Sequence, residues 1–496
     1  MSSIDEIRDS RIKKLKLLED RGFNPYPADS KREITLKDAV DDFETLEKDK
    51  KEKWISGRIM SIRGQGAIIF ITLNDGTGTF QGLLKKDVIG DEKFNFWSEV
   101  VDIGDFIETQ GIFFKTNRGE KTQEIKDWRM LAKSLRPLPE KWHGLTDVEE
   151  RLRKRYLDIL MNPEVKDIFL KKAKFWNTIR EYLISRDFIE VETPVIENTT
   201  GGADARPFIT HHNALDIEVY LRISAGELWQ KKLLVSGMPK TFEIGRIFRN
   251  EGISPEHLQD YTQVEYYMAY ADFEKGMEMT KELYKLIVEK VFNTTKFSIR
   301  GFEVDFNAEW QMYDFCKLVE EKFGLNPITE IYSKTKERVT IGDLREICEK
   351  AGIEYEHGEF NITRTVDNLW KIIRKEIGGP GFLINVPVYL EPLAKRNRNN
   401  PKTVERFQVI IAGSEMGKGF SELNDPIDQR MRFVEQQALR DAGDEEAQMA
   451  DMGFVEALEY GMPPAFGFGV SERLFSFLMD KPIRETQIFP LMRPRE

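Results

Sequence analysis

The chain has 496 residues, too many for one hydrophobic core and enough for two or more packed domains. Charged residues make up 32% and hydrophobic ones 40%, and no apolar run approaches the roughly 20 residues that cross a bilayer, so a globular protein is expected. Cys316 and Cys348 are the only cysteines, which excludes a disulfide scaffold and a four-thiolate zinc site and makes a reducing cytoplasm the default. The N-terminal MSSIDEIRDSRIKKLK has no apolar signal-peptide core. A net charge of −11 is only weak evidence against a nucleic-acid partner, because phosphates meet local patches rather than the total.

Residues 1–53 are strongly charged, and Ile4, Ile7, Ile12, Leu15 and Leu18 predict an amphipathic helix within an N-terminal helical extension. The KDKKEK run (48–53) reads as a solvated edge. WISGRIMSI, AIIFITLND, FQGLLKK, DFIETQGIFFKT and IKDWRMLAKSL are short β-rich runs separated by GQG, DGTG and NRGE turns. They predict a barrel of about five strands within 54–140. RPLPEKWHG (136–144) carries two prolines and opens a linker read over 141–163. Val165, Ile168, Phe169, Ala173, Trp176, Ile179 and Leu183 form a helical stripe over 164–186, followed by a strand-like FIEVETPVI broken at Pro194. Extended runs then alternate with one long helix over roughly 272–292. Residues 303–380 read as mainly helical, and strands return after Gly381. A helix at 427–442 and a final glycine-rich strand and helix complete an α+β domain over 164–496, with 303–380 as a mainly helical insertion.

The usual nucleotide signatures are missing. GSEMGKGF (413–420) is one residue short of a phosphate loop and has no Ser or Thr after its Lys; GFGVSE (467–472) lacks the third glycine of a dinucleotide fingerprint. With five histidines and no His-x-x-x-His helix, a zinc hydrolase is not expected. Two other stretches concentrate chemistry. FRNEGISPEHLQDYTQVEYY (248–267) sets Arg249, Glu251, His257, Tyr261 and Glu265 around a polar loop between two strand-like runs. GFGFGVSERLFSFL places a glycine-rich strand just before Arg473 at the start of a helix. Taken singly, each fits a charged surface hairpin or a tight helix–strand contact that needs small residues.

Together they resemble a known family. FEIGRIFRNEG with its downstream Glu is similar to motif 2 of class II aminoacyl-tRNA synthetases, GFGVSERL to motif 3, and the helix ending in IEVETPVI to motif 1. GGADARPFITHHNALD, MAYADF, EPLAKRN, GFSELND, ALEYGMPP and FPLMRPRE narrow the resemblance to bacterial-type lysyl-tRNA synthetases, and RPLPEKWHGLTDVEERLRKRYLD resembles the linker after that family's anticodon barrel. The resemblance runs from about residue 54 to the end and is weakest over 303–380. It implies an N-terminal OB-fold anticodon-binding domain, a class II catalytic domain built on an antiparallel sheet flanked by helices, and a homodimer. It implies activation of L-lysine with ATP and transfer to tRNA(Lys). An aspartyl- or asparaginyl-type synthetase and a lysine-type protein-modifying paralogue are the alternatives. The second consists of a catalytic domain alone, so the barrel argues against it.

Residue by residue, the resemblance implies that Arg249 bridges the α-phosphate and the amino-acid carboxylate, a double task suited to a planar guanidinium. Arg473 and Tyr261 would sandwich the adenine, Glu251 would meet its amino group, and His257 the terminal phosphates. Glu415, with Gln408 and Glu422, would hold Mg²⁺ on phosphate oxygens. Glu227 and Glu422 would face the ε-ammonium with the Tyr267 hydroxyl, Glu265 and the backbone near Gly202 the α-amino group, and Phe420 the aliphatic stem. A buried ammonium requires such carboxylates. This chain departs from the family at Gln408 (usually Glu), Glu256 (commonly Arg), Lys418 (in place of Asn, near the substrate carboxylate), Glu472 (usually Asp), and by one extra residue in RISAGELW. On the barrel, Phe70 is the candidate for stacking an anticodon base, Gln81 for reading a uracil edge, and Asp127 a further contact.

Overall fold

The computed structural model describes residues 3–139, 145–324, 326–328, 346, 348, 349, 352, 362–443 and 446–495. The chain divides into two compact units, Met1–Met161 and Asn162–Glu496.

In the first unit, Ser3 caps helix Ile4–Asp20: its hydroxyl accepts from the Glu6 N–H at 3.1 Å, and the Glu6 carboxylate accepts from the Ser3 N–H at 2.7 Å. The helix buries Leu18, and Arg11, whose guanidinium donates to the carbonyls of Ile103, Ser134 and Arg136. Strands β1 (Lys53–Gln65), β2 (Ile68–Asn74), β3 (Thr79–Lys85), β4 (Phe106–Lys115) and β5 (Lys121–Ala132) close into a barrel in the order β1-β2-β3-β5-β4. Period-two alternation turns Ile55, Ile59, Ile71, Leu73, Phe80, Leu84, Ile107 and Ile125 into one core. Because β3 and β5 run parallel, the chain between them must cross over, and helix Asp91–Val100 lies in that crossing with Phe94, Phe96 and Trp97 buried. The stretch read as linker carries two short helices, Val148–Arg153 and Arg155–Met161. Residues 140–144 lie outside the described residues.

The second unit opens on helix Pro163–Ile184, with Pro163 in the first turn where its missing N–H leaves no bond unmade. The short strands β6 (Ile189–Glu190) and β7 (Ile196–Glu197) follow, then β8 (Ile209–His212) and β9 (Ile217–Leu221). Next come β10 (Lys240–Phe248), β11 (Asp260–Ala269), the hairpin β12–β13 (Lys296–Ile299, Phe302–Asp305) and β14 (Gln311–Asp314). β15 (Gly381–Ile384), β16 (Arg406–Ile411), β17 (Ser414–Ser421) and β18 (Ala465–Ser471) complete the set. Eight of them form one sheet in the order β14-β15-β16-β17-β18-β11-β10-β6. It is antiparallel from β15 to β10, with a short parallel strand at each edge.

The β18 sequence AFGFGVS shows why one face is core and the other open. Phe466, Phe468 and Val470 pack with Phe175 of the first helix, Leu283 and Tyr284 of helix Phe273–Ile287, and Phe407 of β16. The alternate Gly467 and Gly469 clear space on the other face: a Cβ on Gly467 would stand 2.2 Å from Glu422 Oε1 and 2.5 Å from the Tyr267 ring.

Three expectations are modified. FIEVETPVI, read as a strand broken at Pro194, already ends its first strand at Glu190, and the second, Ile196–Glu197, begins beyond the proline. The long helix read to 292 is α-helical only to Ile287 and π-helical over Val288–Phe292. Within 303–380 the described residues include β14 as well as helices Phe315–Phe323 and Ile362–Ile373, and the rest of that stretch lies largely outside the described residues.

Candidate active site

A cavity of about 430 Å³ lies over the glycine side of β18. At one end, Arg249 follows β10; its N–H donates to the Gln259 carbonyl at 2.8 Å and its Nε to the Ile223 carbonyl at 3.3 Å. The guanidinium carbon stands 5.9 Å from the Tyr261 ring centroid. His257 Nδ1 is 2.7 Å from the Ser254 hydroxyl, and its pKa is lowered by burial first and then by Arg473, favouring the neutral ring. Arg473 opens helix Arg473–Leu478 and is ion-paired with Glu256, whose other oxygen lies 2.5 Å from Arg300 on the β12–β13 turn. The residue before it, Glu472, is buried: it accepts from the Thr262 N–H at 2.8 Å and pairs with Lys172, tying β11, β18 and the first helix together. Glu251 directly follows this cluster's Arg249–Asn250, with its N–H on the Arg249 carbonyl at 2.9 Å, but its side chain is not among those lining the cavity.

At the other end three carboxylates converge. Glu227 begins helix Glu227–Val235, Glu265 lies on β11, and Glu422 follows β17; each is at most 6% exposed. Glu265 accepts from the Ala225 N–H (2.8 Å), Gln263 (2.6 Å) and the Tyr267 hydroxyl (2.9 Å). Burial, then the nearby charge of Glu227, pushes its pKa up to about 7. The Tyr267 hydroxyl donates to Glu265, which leaves its oxygen lone pairs able to accept. Glu422 is also shifted up, by burial first, with Lys231 opposing the shift. The fully buried Lys231 Nζ is 2.6 Å from Glu227 Oε1 and 2.6 Å from Glu422 Oε2. Gly202, at φ +86°, lies so near that a Cβ there would be 2.7 Å from Glu227 Cβ. Phe420 lines the cavity between the two ends, opposite Gly467 across the ladder. Lys418 also lines it, and its ammonium is 3.3 Å from Glu391 Oε2; the other Glu391 oxygen is 2.9 Å from Arg406 Nε.

Glu415 and Gln408 line the same cavity. Trp370 Nε1 donates to Glu415 Oε1 at 2.6 Å, and Gln408 Oε1 accepts from Arg406. Among the described residues, no group of three or more His, Cys, Asp or Glu side chains could hold a metal ion by itself. With Glu422 taken up by Lys231 and Gln408 by Arg406, one carboxylate remains, a donor set that fits a magnesium ion carried mainly by phosphates.

Of the residues expected from sequence, the cavity brings together Arg249, His257, Tyr261, Arg473, Glu415, Gln408, Gly202, Glu227, Glu265, Tyr267, Lys418 and Phe420. Glu422 stands just behind them; neither of its oxygens has a hydrogen-bond partner among the described residues, and Oε2 meets Lys231 as an ion pair at 2.6 Å. Sequence reasoning missed Lys231, Arg300, Glu391, Arg406 and Trp370. Only Lys231 carried a local signal, its i, i+4 spacing from Glu227 on a helix.

On the barrel, Phe70 is half-buried and lies outside the apolar core, on the outer face of β2 with Thr72, while Ile71 and Leu73 point inward. Gln81 pairs across from Thr72, and its amide donates to Thr122 Oγ1 at 2.8 Å. Asp127 is ion-paired with Lys93 at 2.9 Å.

An antiparallel sheet with Arg249 after one strand and Arg473 after another, and a five-stranded barrel, are the architecture of a class II tRNA synthetase with its anticodon domain. Residues 147–493 match the tRNA synthetases class II (D, K and N), and residues 53–138 match the OB-fold nucleic acid binding domain. The lysine–tRNA ligase of Thermotoga maritima is 42% identical over 99% of this chain and 97% of its own length. That of Carboxydothermus hydrogenoformans is 43% identical over 99% of both, and that of Thermosipho melanesiensis 42% over 98% and 96%. The chain belongs to the lysine–tRNA ligase family.

Proposed function

We propose that this chain activates L-lysine with ATP and transfers it to the 3′-terminal adenosine of tRNA(Lys). The observation that carries the reading is the polarity of the cavity: Glu227, Glu265 and Glu422 at one end, Arg249, His257 and Arg473 at the other. An aspartate or asparagine side chain would leave Glu227 and Glu422 facing a carboxylate or amide, an unfavourable exchange for a site built on buried negative charge.

In the first step a lysine carboxylate oxygen bonds to the α-phosphorus and the bond to the β-phosphate oxygen breaks, releasing pyrophosphate. Both partners are anionic, so the residues must neutralise charge and fix the line of attack; they need not form a covalent bond. Arg249 serves both anions, Glu265 receives the α-ammonium, and Glu227 and Glu422 receive the ε-ammonium. Tyr261 and Arg473 hold the adenine with Glu251 at its amino group, and His257 meets the terminal phosphates. Mg²⁺ accompanying ATP would be held at Glu415, with Gln408 nearby, and would neutralise phosphate charge. In the second step the terminal ribose hydroxyl attacks the adenylate carbonyl and AMP leaves. The outer face of β2 and β3, with Phe70 and Gln81, and Asp127 further along β5, would take the anticodon.

We also propose an isologous homodimer acting in the cytoplasm. Ile189, Val195, Ile196, Ile209 and Ile217 are exposed apolar residues concentrated on β6 to β9, the surface such an interface would cover. Light scattering should give twice 57.8 kDa. Among the described residues no helix is long and apolar enough to cross a membrane. ATP–pyrophosphate exchange with each of the twenty amino acids tests the function: lysine alone should support it at low concentration, and a preference for aspartate or asparagine would overturn the reading.

A further inference from the structure

Lys231 is 1% exposed, yet it carries a charge and no substrate-handling role has been assigned to it. It projects from the helix that begins at Glu227, one turn on, and reaches across to Glu422 beyond β17. Its ammonium lies 5.2 Å from the Phe420 ring centroid and 5.9 Å from those of Tyr267 and Phe454, so aromatic faces as well as carboxylates enclose it. Glu227 lines the cavity and Lys231 does not.

The oxygens divide between two sides. Lys231 takes Glu227 Oε1 and Glu422 Oε2. The other two oxygens lie against cavity-lining glycines: a Cβ on Gly202 would stand 3.1 Å from Glu227 Oε2, and one on Gly467 2.2 Å from Glu422 Oε1. Each carboxylate thus meets a cation from behind and offers its second oxygen towards the cavity.

We infer that Lys231 is a specificity-determining residue, a built-in counter-ion that shares Glu227 and Glu422 with the substrate and leaves the pair one negative charge in surplus, matched to a single side-chain ammonium. The inference rests on the proposed lysine site. With both carboxylates ionised, the form that Lys231 favours against the burial of Glu422, two carboxylates and one buried ammonium leave a net −1, and the ε-ammonium brings the group to zero. Glu265 and Arg249 balance the α-ammonium and α-carboxylate separately. Without Lys231 the same two carboxylates face one substrate cation and one negative charge remains buried and unpaired, the costly case for a low-dielectric site. Lys231 also holds both carboxylates in one orientation, so that neither has to be ordered when substrate arrives.

Charge matching makes a prediction that simple damage to the fold does not. Lys231→Met should raise KM for lysine in ATP–pyrophosphate exchange by at least ~30-fold, the effect of an uncompensated buried charge, with KM for ATP within about twofold of wild type. Glu422→Gln should also lose lysine, because Lys231 then balances Glu227 alone, and should become more sensitive to inhibition by norleucine, which lacks the ammonium. The double variant Lys231→Met/Glu422→Gln restores a surplus of one negative charge. Its kcat/KM for lysine should therefore exceed that of Glu422→Gln alone, and that comparison decides the matter even if Lys231→Met by itself fails to fold. Losses that multiply, leaving the double variant below Glu422→Gln, would overturn the inference. A wild-type enzyme with no lysine-dependent exchange would instead overturn the site reading on which it rests.

Discussion

Glu256 and Arg473 form an ion pair that joins the loop between β10 and β11 to the start of helix Arg473–Leu478. The second oxygen of Glu256 is 2.5 Å from Arg300, so one carboxylate restrains two arginines beside His257. The resemblance in sequence implies an arginine at this position, and Glu256 here instead holds two other arginines in place.

Glu256→Gln should release Arg473 for the adenine and Arg300 for the incoming phosphates, and remove a negative charge near the latter. KM for ATP should fall by roughly 3- to 10-fold, the scale of one partly exposed charge contact, while KM for lysine stays put. A rise in KM for ATP would mean that the arginines need Glu256 to stay in position.

The raised pKa of Glu265 makes lysine binding depend on pH. This carboxylate must be ionised to hold the α-ammonium, and burial together with Glu227 brings its protonation up to about pH 7. KM for lysine should then climb as pH falls below about 7, approaching tenfold per unit, with KM for ATP changing much less. Glu265→Gln should bind lysine poorly and lose the part of the pH dependence centred near 7, leaving that of Glu422, which burial pushes up to about 8. A flat lysine KM between pH 8 and pH 6 in the wild type would show that another group receives the α-ammonium.

Phe70→Ala should weaken tRNA binding and spare activation. Stacking one base is worth roughly 1–3 kcal/mol, so KM for tRNA should rise by about 5- to 150-fold while tRNA-independent exchange is unchanged. Phe70 lies outside the barrel core, so its removal should leave the thermal transition in place. Loss of both activities, with a lower transition temperature, would make it a structural residue.

Much of this was legible in the sequence because the signals were local. Alternation in AIIFITLND and turn residues in DGTG give β2, its turn and β3 directly; Asp75 Oδ1 accepts from the Thr77 and Gly78 N–H groups to close that turn. The motif residues were legible through the resemblance, since Arg249, Tyr261 and Glu265 sit at fixed positions along one hairpin. What stayed hidden depends on contacts remote in sequence. Nothing near Lys231 announces Glu422, and nothing near Glu415 announces Trp370. FIEVETPVI reads as strand as far as Pro194 because its apolar alternation is regular, but only Ile189 and Glu190 are in register with β10. β14 is four residues long, too short to display a period, and takes its place by parallel pairing with β15.

The central claim is that Glu422 and Glu227 receive the ε-ammonium of lysine. Glu422→Gln keeps the shape of the side chain and one acceptor oxygen but removes the charge, and it leaves Arg249, Tyr261 and Arg473 untouched. Its steady-state kinetics in ATP–pyrophosphate exchange are therefore the most direct measurement. The account predicts a fall in kcat/KM for lysine of roughly 30- to 1,000-fold, about 2–4 kcal/mol, with KM for ATP nearly unchanged. Activation of lysine by Glu422→Gln as efficient as in the parent enzyme would contradict it.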